Sequence, residues 1–130
     1  MIVVVNSDRA TSSYVSNGSL SLVADTAPPL GEGKGFRPHD LLEAALASCM
    51  AISARLAARE HGMSVSRIEI SVAIDRSNKS KAIFRTKLQF SDDTSESDRE
   101  ILRAAVLNCK VCQTLTSKIS VDVDVSEKSN

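Results

Sequence analysis

The chain has 130 residues and 13.9 kDa, and its 16 Lys and Arg balance 16 Asp and Glu, so the formal net charge is zero. That balance argues against a nucleic-acid partner, which selects a basic excess, and against an anionic membrane surface. Aromatic residues make up 3% with no Trp, which disfavours a base-stacking platform and leaves a core of aliphatic and Ala side chains.

Residues 1–5 form a β-prone apolar run, too short for a signal-peptide core or a membrane span, so the chain is read as cytoplasmic. Residues 11–16 and 19–23 flank Asn17-Gly18, which predicts a hairpin whose two central residues take positive φ. Residues 25–36 hold Pro28, Pro29 and three Gly and read as an irregular loop. Arg37-Pro38 then opens a helix predicted over 38–61. Pro38 has no hydrogen bond to lose at the first position, and Asp40 and Glu43 suit the positive dipole end. Leu42, Leu46, Cys49, Ile52 and Leu56 recur at helical spacing, and Gly62 marks the stop. Ala44, Ala45, Ala47, Ser48 and Ala51 keep its middle thin, which permits close approach by a second helix.

Residues 68–75 and 84–90 alternate apolar and polar with period two, the pattern of antiparallel strands wet on one face, with a polar turn over 76–81. Ser97 with Glu100 predicts the capping box of a second helix carrying Leu102, Ala105, Val106 and Cys109, ended by a left-handed Asn108. A helical turn over 111–115, a last strand over 118–125 and a frayed polar tail over 126–130 complete the chain. There is no internal repeat. The fold class is α+β, a single domain over 1–130: strands within 1–36, a central helix over 38–61, strands and helix within 66–125.

Cysteines stand at 49, 109 and 112, an odd count that does not suit a structural disulfide framework. For Cys49 the choice lies between a small buried hydrophobe and a reactive thiol. As a thiolate it needs help from elsewhere in the fold, because it lies eleven residues beyond Pro38 and the dipole acts within the first turn. Cys109 and Cys112 form a CxxC, which suits redox chemistry, half a zinc site, or neither. The remaining zinc candidates, Cys49, His39 and His61, are spread along one helix. At the end of the second helix Cys109 would meet the negative dipole, which suits a resolving thiol better than an attacking one.

The stretch RPHDLLEAALASCM over 37–50 resembles the first motif of the OsmC/Ohr family (osmotically inducible and organic hydroperoxide resistance proteins), a Pro-led, Ala-rich helix with one Cys. NCKVCQTL over 108–115, followed by the alternation over 119–125, resembles the second motif, and SLVADTAPPLGEGKG over 21–35 resembles the strand and glycine-rich loop before the first. The resemblance implies an OsmC-like antiparallel sheet around a long central helix, in an intertwined homodimer. It implies a thiol peroxidase acting on organic hydroperoxides, with Cys49 forming a sulfenic acid, Cys109 resolving it to a disulfide, and a dithiol reductant restoring both. No cofactor or metal is implied, nor a nucleic-acid or membrane partner.

Asp40 and Cys49 are nine residues apart, or about 14 Å of helix rise, so Arg37, His39 and Asp40 are expected to reach a partner's Cys49 rather than their own. The sequence departs from the family pattern at three places. His39 stands where Glu follows the Pro, with Asp40 one residue later. No Arg lies in 25–36, leaving Lys34, Arg37 or Arg9 as the cation. Lys110 replaces the Pro after the second Cys, and Cys112 is an extra thiol. The main alternative is a non-catalytic small-ligand-binding or thiol-sensing member; a zinc or redox CxxC protein is the third.

Overall fold

A 23-residue helix, α1 (Pro38–Glu60), organises the chain; the computed structural model describes residues 1–127. Residues 128–130 of the expected tail lie outside the described residues. The elements before α1 are β1 (Val3–Asn6), β2 (Ser13–Ser16) and β3 (Ser21–Ala24). Those after it are β4 (Ile68–Asn78), β5 (Lys81–Phe90), α2 (Glu96–Leu107) and α3 (Lys110–Leu115). β1, β2 and β3 form an antiparallel meander, and β4 and β5 a long hairpin. α1 and α2 pack together, and α1 lies on β4, giving the expected α+β arrangement of antiparallel strands and a long helix.

The β2–β3 turn differs from the expected one. Ser16 pairs with Ser21, the Asn17 N–H bonds the Leu20 carbonyl, and of the turn residues Gly18 alone has positive φ. The tip is therefore Gly18-Ser19, one residue later than expected. Asn17 instead accepts the Ser19 and Leu20 N–H groups on its side-chain oxygen.

α1 starts where Pro38 predicts it and ends at Glu60, with His61 as its C-cap and Gly62 following at φ 64°. Its buried stripe is Leu46, Met50, Ala54, Ala57 and Ala58. This is a correction: of the expected face only Leu46 is buried, Cys49 is half-buried, and Leu42, Ile52 and Leu56 are 44%, 60% and 55% exposed. The small residues decide it, because Ala54, Ala57 and Ala58 let Leu102 and Val106 of α2 and the β4–β5 hairpin come close. By length and composition α1 is also apolar enough to cross a membrane, with mean hydropathy 1.5 over 18 residues. Here that apolarity serves the core on one face.

α2 begins earlier than expected. Ser95 is its N-cap, accepting the Asp98 N–H at 3.2 Å, and Ser97 lies inside the first turn. Asn108 closes it at φ −100°, not left-handed, because the chain turns directly into α3. The expected last strand is not formed: 118–127 carry no regular structure, and Ile119, Val121, Val123 and Val125 are 59–89% exposed. Period two prepares a strand for one buried face, but a ladder needs a partner strand, and this segment pairs with none among the described residues.

Candidate functional site

Cys49 lies at mid-length on α1, beside the buried stripe, and its sulfur faces the start of α3. The Val111 N–H points at it at 3.5 Å. Its pKa is lowered from the ordinary thiol value, chiefly by that N–H, with the Cys109 thiol, the Lys110 N–H and the Ser53 hydroxyl adding to the effect against partial burial. Each of these donors is neutral. The thiolate stabilisation that α1's own N-terminus is too far away to give thus comes from the first-turn amides of another helix.

Cys109 is the N-cap of α3 rather than the end of α2, which corrects the expectation that it meets a negative dipole end. Its sulfur accepts the Cys112 N–H at 3.3 Å. Even so its pKa is raised: the residue is 1% exposed, burial disfavours the thiolate, and the Cys49 and Cys112 sulfurs repel a charge there. Two neighbouring thiols are thus split by environment, with Cys49 the more acidic and Cys109 held neutral. Cys112, half-buried, follows on the same short helix, and all three cysteines are free.

Arg37, His39 and Asp40 stand apart from these sulfurs, at the far end of α1. Asp40 Oδ2 accepts the Arg37 backbone N–H at 2.9 Å, and the Arg37 guanidinium pairs with the same carboxylate at 2.9 Å, holding it below the usual carboxylate range. His39 is exposed beside a 290 Å³ hollow that Arg37, Glu43 and Arg76 also line. Arg9 pairs with Glu32 at 3.7 Å. Lys34 donates its backbone N–H to Asp25, and its residue is exposed. None of these cations joins Cys49 within the chain. His39 and His61 lie at opposite ends of α1, and among the described residues no three His, Cys, Asp or Glu side chains converge on a metal position.

The loop before α1 is built around one carboxylate. Asp25, 3% exposed, accepts the Thr11 hydroxyl at 2.7 Å and the N–H groups of Thr26, Glu32 and Lys34 at 2.8–3.2 Å. These bonds, the Thr11 hydroxyl first, hold its pKa at about 2. A Cβ on Gly31 would lie 2.6 Å from this carboxylate, so only glycine fits there. The loop closes where the Phe36 N–H bonds the Val23 carbonyl at 3.0 Å, and it delivers Arg37 to the start of α1. Sequence reading passed over Asp25 and Ser53. Ser53, one helical turn from Cys49, was recoverable from spacing, whereas the Lys110 and Val111 amides had no sequence signal.

A family profile described as OsmC-like protein matches residues 31–124. No curated protein sequence matches significantly. Among solved structures, an OsmC-like protein from Mycoplasma pneumoniae is 23% identical with TM-score 0.71, covering 88% of this chain and 85% of that one. An organic hydroperoxide resistance protein OsmC from Legionella pneumophila is 18% identical with TM-score 0.62, covering 89% of each chain. The organic hydroperoxide resistance protein OhrB of Bacillus subtilis is 20% identical with TM-score 0.62, covering 89% and 90%.

Proposed function

The chain belongs to the OsmC-like protein family, and from that premise we propose that it is a thiol-dependent peroxidase reducing organic hydroperoxides. The observation that carries this reading is the meeting of two thiols at the start of α3, where the Val111 N–H faces the Cys49 sulfur at 3.5 Å and Cys109, buried at 1% exposure, interacts with it. In the proposed cycle the Cys49 thiolate attacks the terminal oxygen of ROOH. An S–O bond forms as O–O breaks, and the leaving alkoxide takes a proton to become the alcohol. Cys109 then attacks the Cys49 sulfenic acid, an S–S bond forms, and water leaves. A dithiol reductant returns both thiols. The sequence names no further cofactor, and a cytoplasmic setting suits thiols that must be reduced after every turnover.

The reading includes a homodimer. The apolar side of α1 at Leu42, Ile52 and Leu56, beside Cys49, and the apolar alternation over 119–125 are both exposed in the single chain. A partner packed there would cover them and could bring Arg37, His39 and Asp40 to the neighbouring Cys49.

One observation favours a second reading, a non-catalytic ligand-binding or thiol-sensing protein: the groups acting on Cys49 are neutral donors with no cation among them. The deciding experiment mixes reduced protein with tert-butyl hydroperoxide and dithiothreitol and follows peroxide loss. Turnover in the wild type and none in Cys49→Ser is expected; equal, slow loss in both sinks the peroxidase and leaves the second reading.

A further inference from the structure

The peroxidase cycle uses two sulfurs, and the chain places three in series. Cys109 is the one that interacts with both others, Cys49 and Cys112. Cys109 caps α3, Cys112 is its third residue, and the Cys112 N–H lies 3.3 Å from the Cys109 sulfur. Side chains three residues apart at a helix start share a face, about 5–6 Å apart at Cβ, within small adjustment of disulfide reach. Exposure differs along the series: Cys109 is buried at 1%, whereas Cys49 and Cys112 are half-buried.

We propose that Cys112 is a second resolving thiol, which moves the disulfide from Cys49–Cys109 to Cys109–Cys112 and so returns Cys49 to its reduced state. This rests on the peroxidase reading and extends it. In the exchange the Cys112 sulfur, its proton lost to solvent, attacks the Cys109 sulfur. The Cys109–Cys112 bond forms, the Cys49–Cys109 bond breaks, and Cys49 departs as thiolate. The number of disulfides is unchanged, and the two electrons that reopen Cys109–Cys112 come from the dithiol reductant. Direction follows from the leaving group. The amides of Lys110 and Val111 stabilise the Cys49 thiolate, and the more acidic thiol leaves faster. Access is kept as well: in the Cys109–Cys112 disulfide the half-buried Cys112 remains reachable by the dithiol, and Cys49 is free for the next peroxide.

Trypsin makes the test direct. It separates the three thiols into peptides 35–55, 104–110 and 111–118, because cleavage after Lys110 falls between Cys109 and Cys112 and Arg37 is shielded by Pro38. Wild-type protein oxidised with one equivalent of tert-butyl hydroperoxide is alkylated in acid, digested and mapped. The expected linkage joins 104–110 to 111–118 with Cys49 alkylated. In Cys112→Ser the linkage joins 35–55 to 104–110, and re-reduction by dithiothreitol slows several-fold. If the wild type consumes peroxide yet carries only the 35–55 to 104–110 linkage, with Cys112 alkylated throughout, the relay is wrong and the peroxidase stands. If it consumes no peroxide, both fail.

Discussion

At the residue scale the site turns on how neighbours divide protons between two sulfurs. The rate of iodoacetamide alkylation at Cys49 is expected to rise with a midpoint below that of an ordinary thiol, and at Cys109 with a midpoint above it. Peptide-resolved mass spectrometry across pH checks both midpoints in one digest. Val111→Pro removes the N–H that faces Cys49 and should move its midpoint upward, at some cost to α3. Asp25 is the other residue whose protonation matters. Its folded pKa of about 2 lies below the 3.8 of an ordinary Asp, so its contribution to stability is present above that ordinary value and lost as pH falls through about 2. Asp75, also at about 2 through Ser77 and Arg85, titrates in the same window, so the comparison must be between variants. Asp25→Asn should melt a few degrees lower at neutral pH, and its melting temperature should fall less than the wild type's between about pH 4 and pH 2. A thermal-unfolding series in both proteins measures this.

At the element scale, helix starts and the α1–α2 contact are the points of leverage. Ser95 supplies a side-chain oxygen to the Asp98 N–H, so Ser95→Ala should cost about 1 kcal/mol, while Ser97→Ala should cost only a few tenths. The same comparison separates the observed cap from the one the Ser97/Glu100 pattern suggested. Leu102, at 0% exposure between α2 and the small residues of α1, should cost about 2–5 kcal/mol when cut to Ala. Urea unfolding of the three variants decides these values. The two serines show what pattern alone resolves. It found the helix and its first turn, but both Ser residues are competent caps, and which one took extended backbone depended on how β5 hands the chain to α2.

At the scale of the whole molecule, the single chain leaves apolar surface that the proposed homodimer would cover. Sedimentation equilibrium is expected to give twice 13.9 kDa. Ile52→Glu, on the exposed side of α1, should shift the species toward the monomer and reduce peroxide turnover more than tenfold. A wild-type monomer with full turnover would remove the partner's Arg37, His39 and Asp40 from the mechanism. The period-two pattern over 118–125 belongs to this scale. Its alternation is plain in the sequence, and the segment stays unpaired because a strand's hydrogen bonds depend on an edge that no local pattern supplies.

The sequence by itself determined where α1 starts and ends, the β4–β5 alternation, the α+β class and the cysteines worth watching, because propensity, capping and periodicity act over a few residues. Tertiary structure alone decided which stripe of α1 is buried, since small residues mark a close contact only once a neighbour arrives. It also decided that Cys109 begins a helix rather than ends one, and that two backbone amides, silent in any sequence, stand over the Cys49 sulfur. Thiol acidity is set by what lies within a few ångströms in space, and those two amides come from 61 and 62 residues away along the chain.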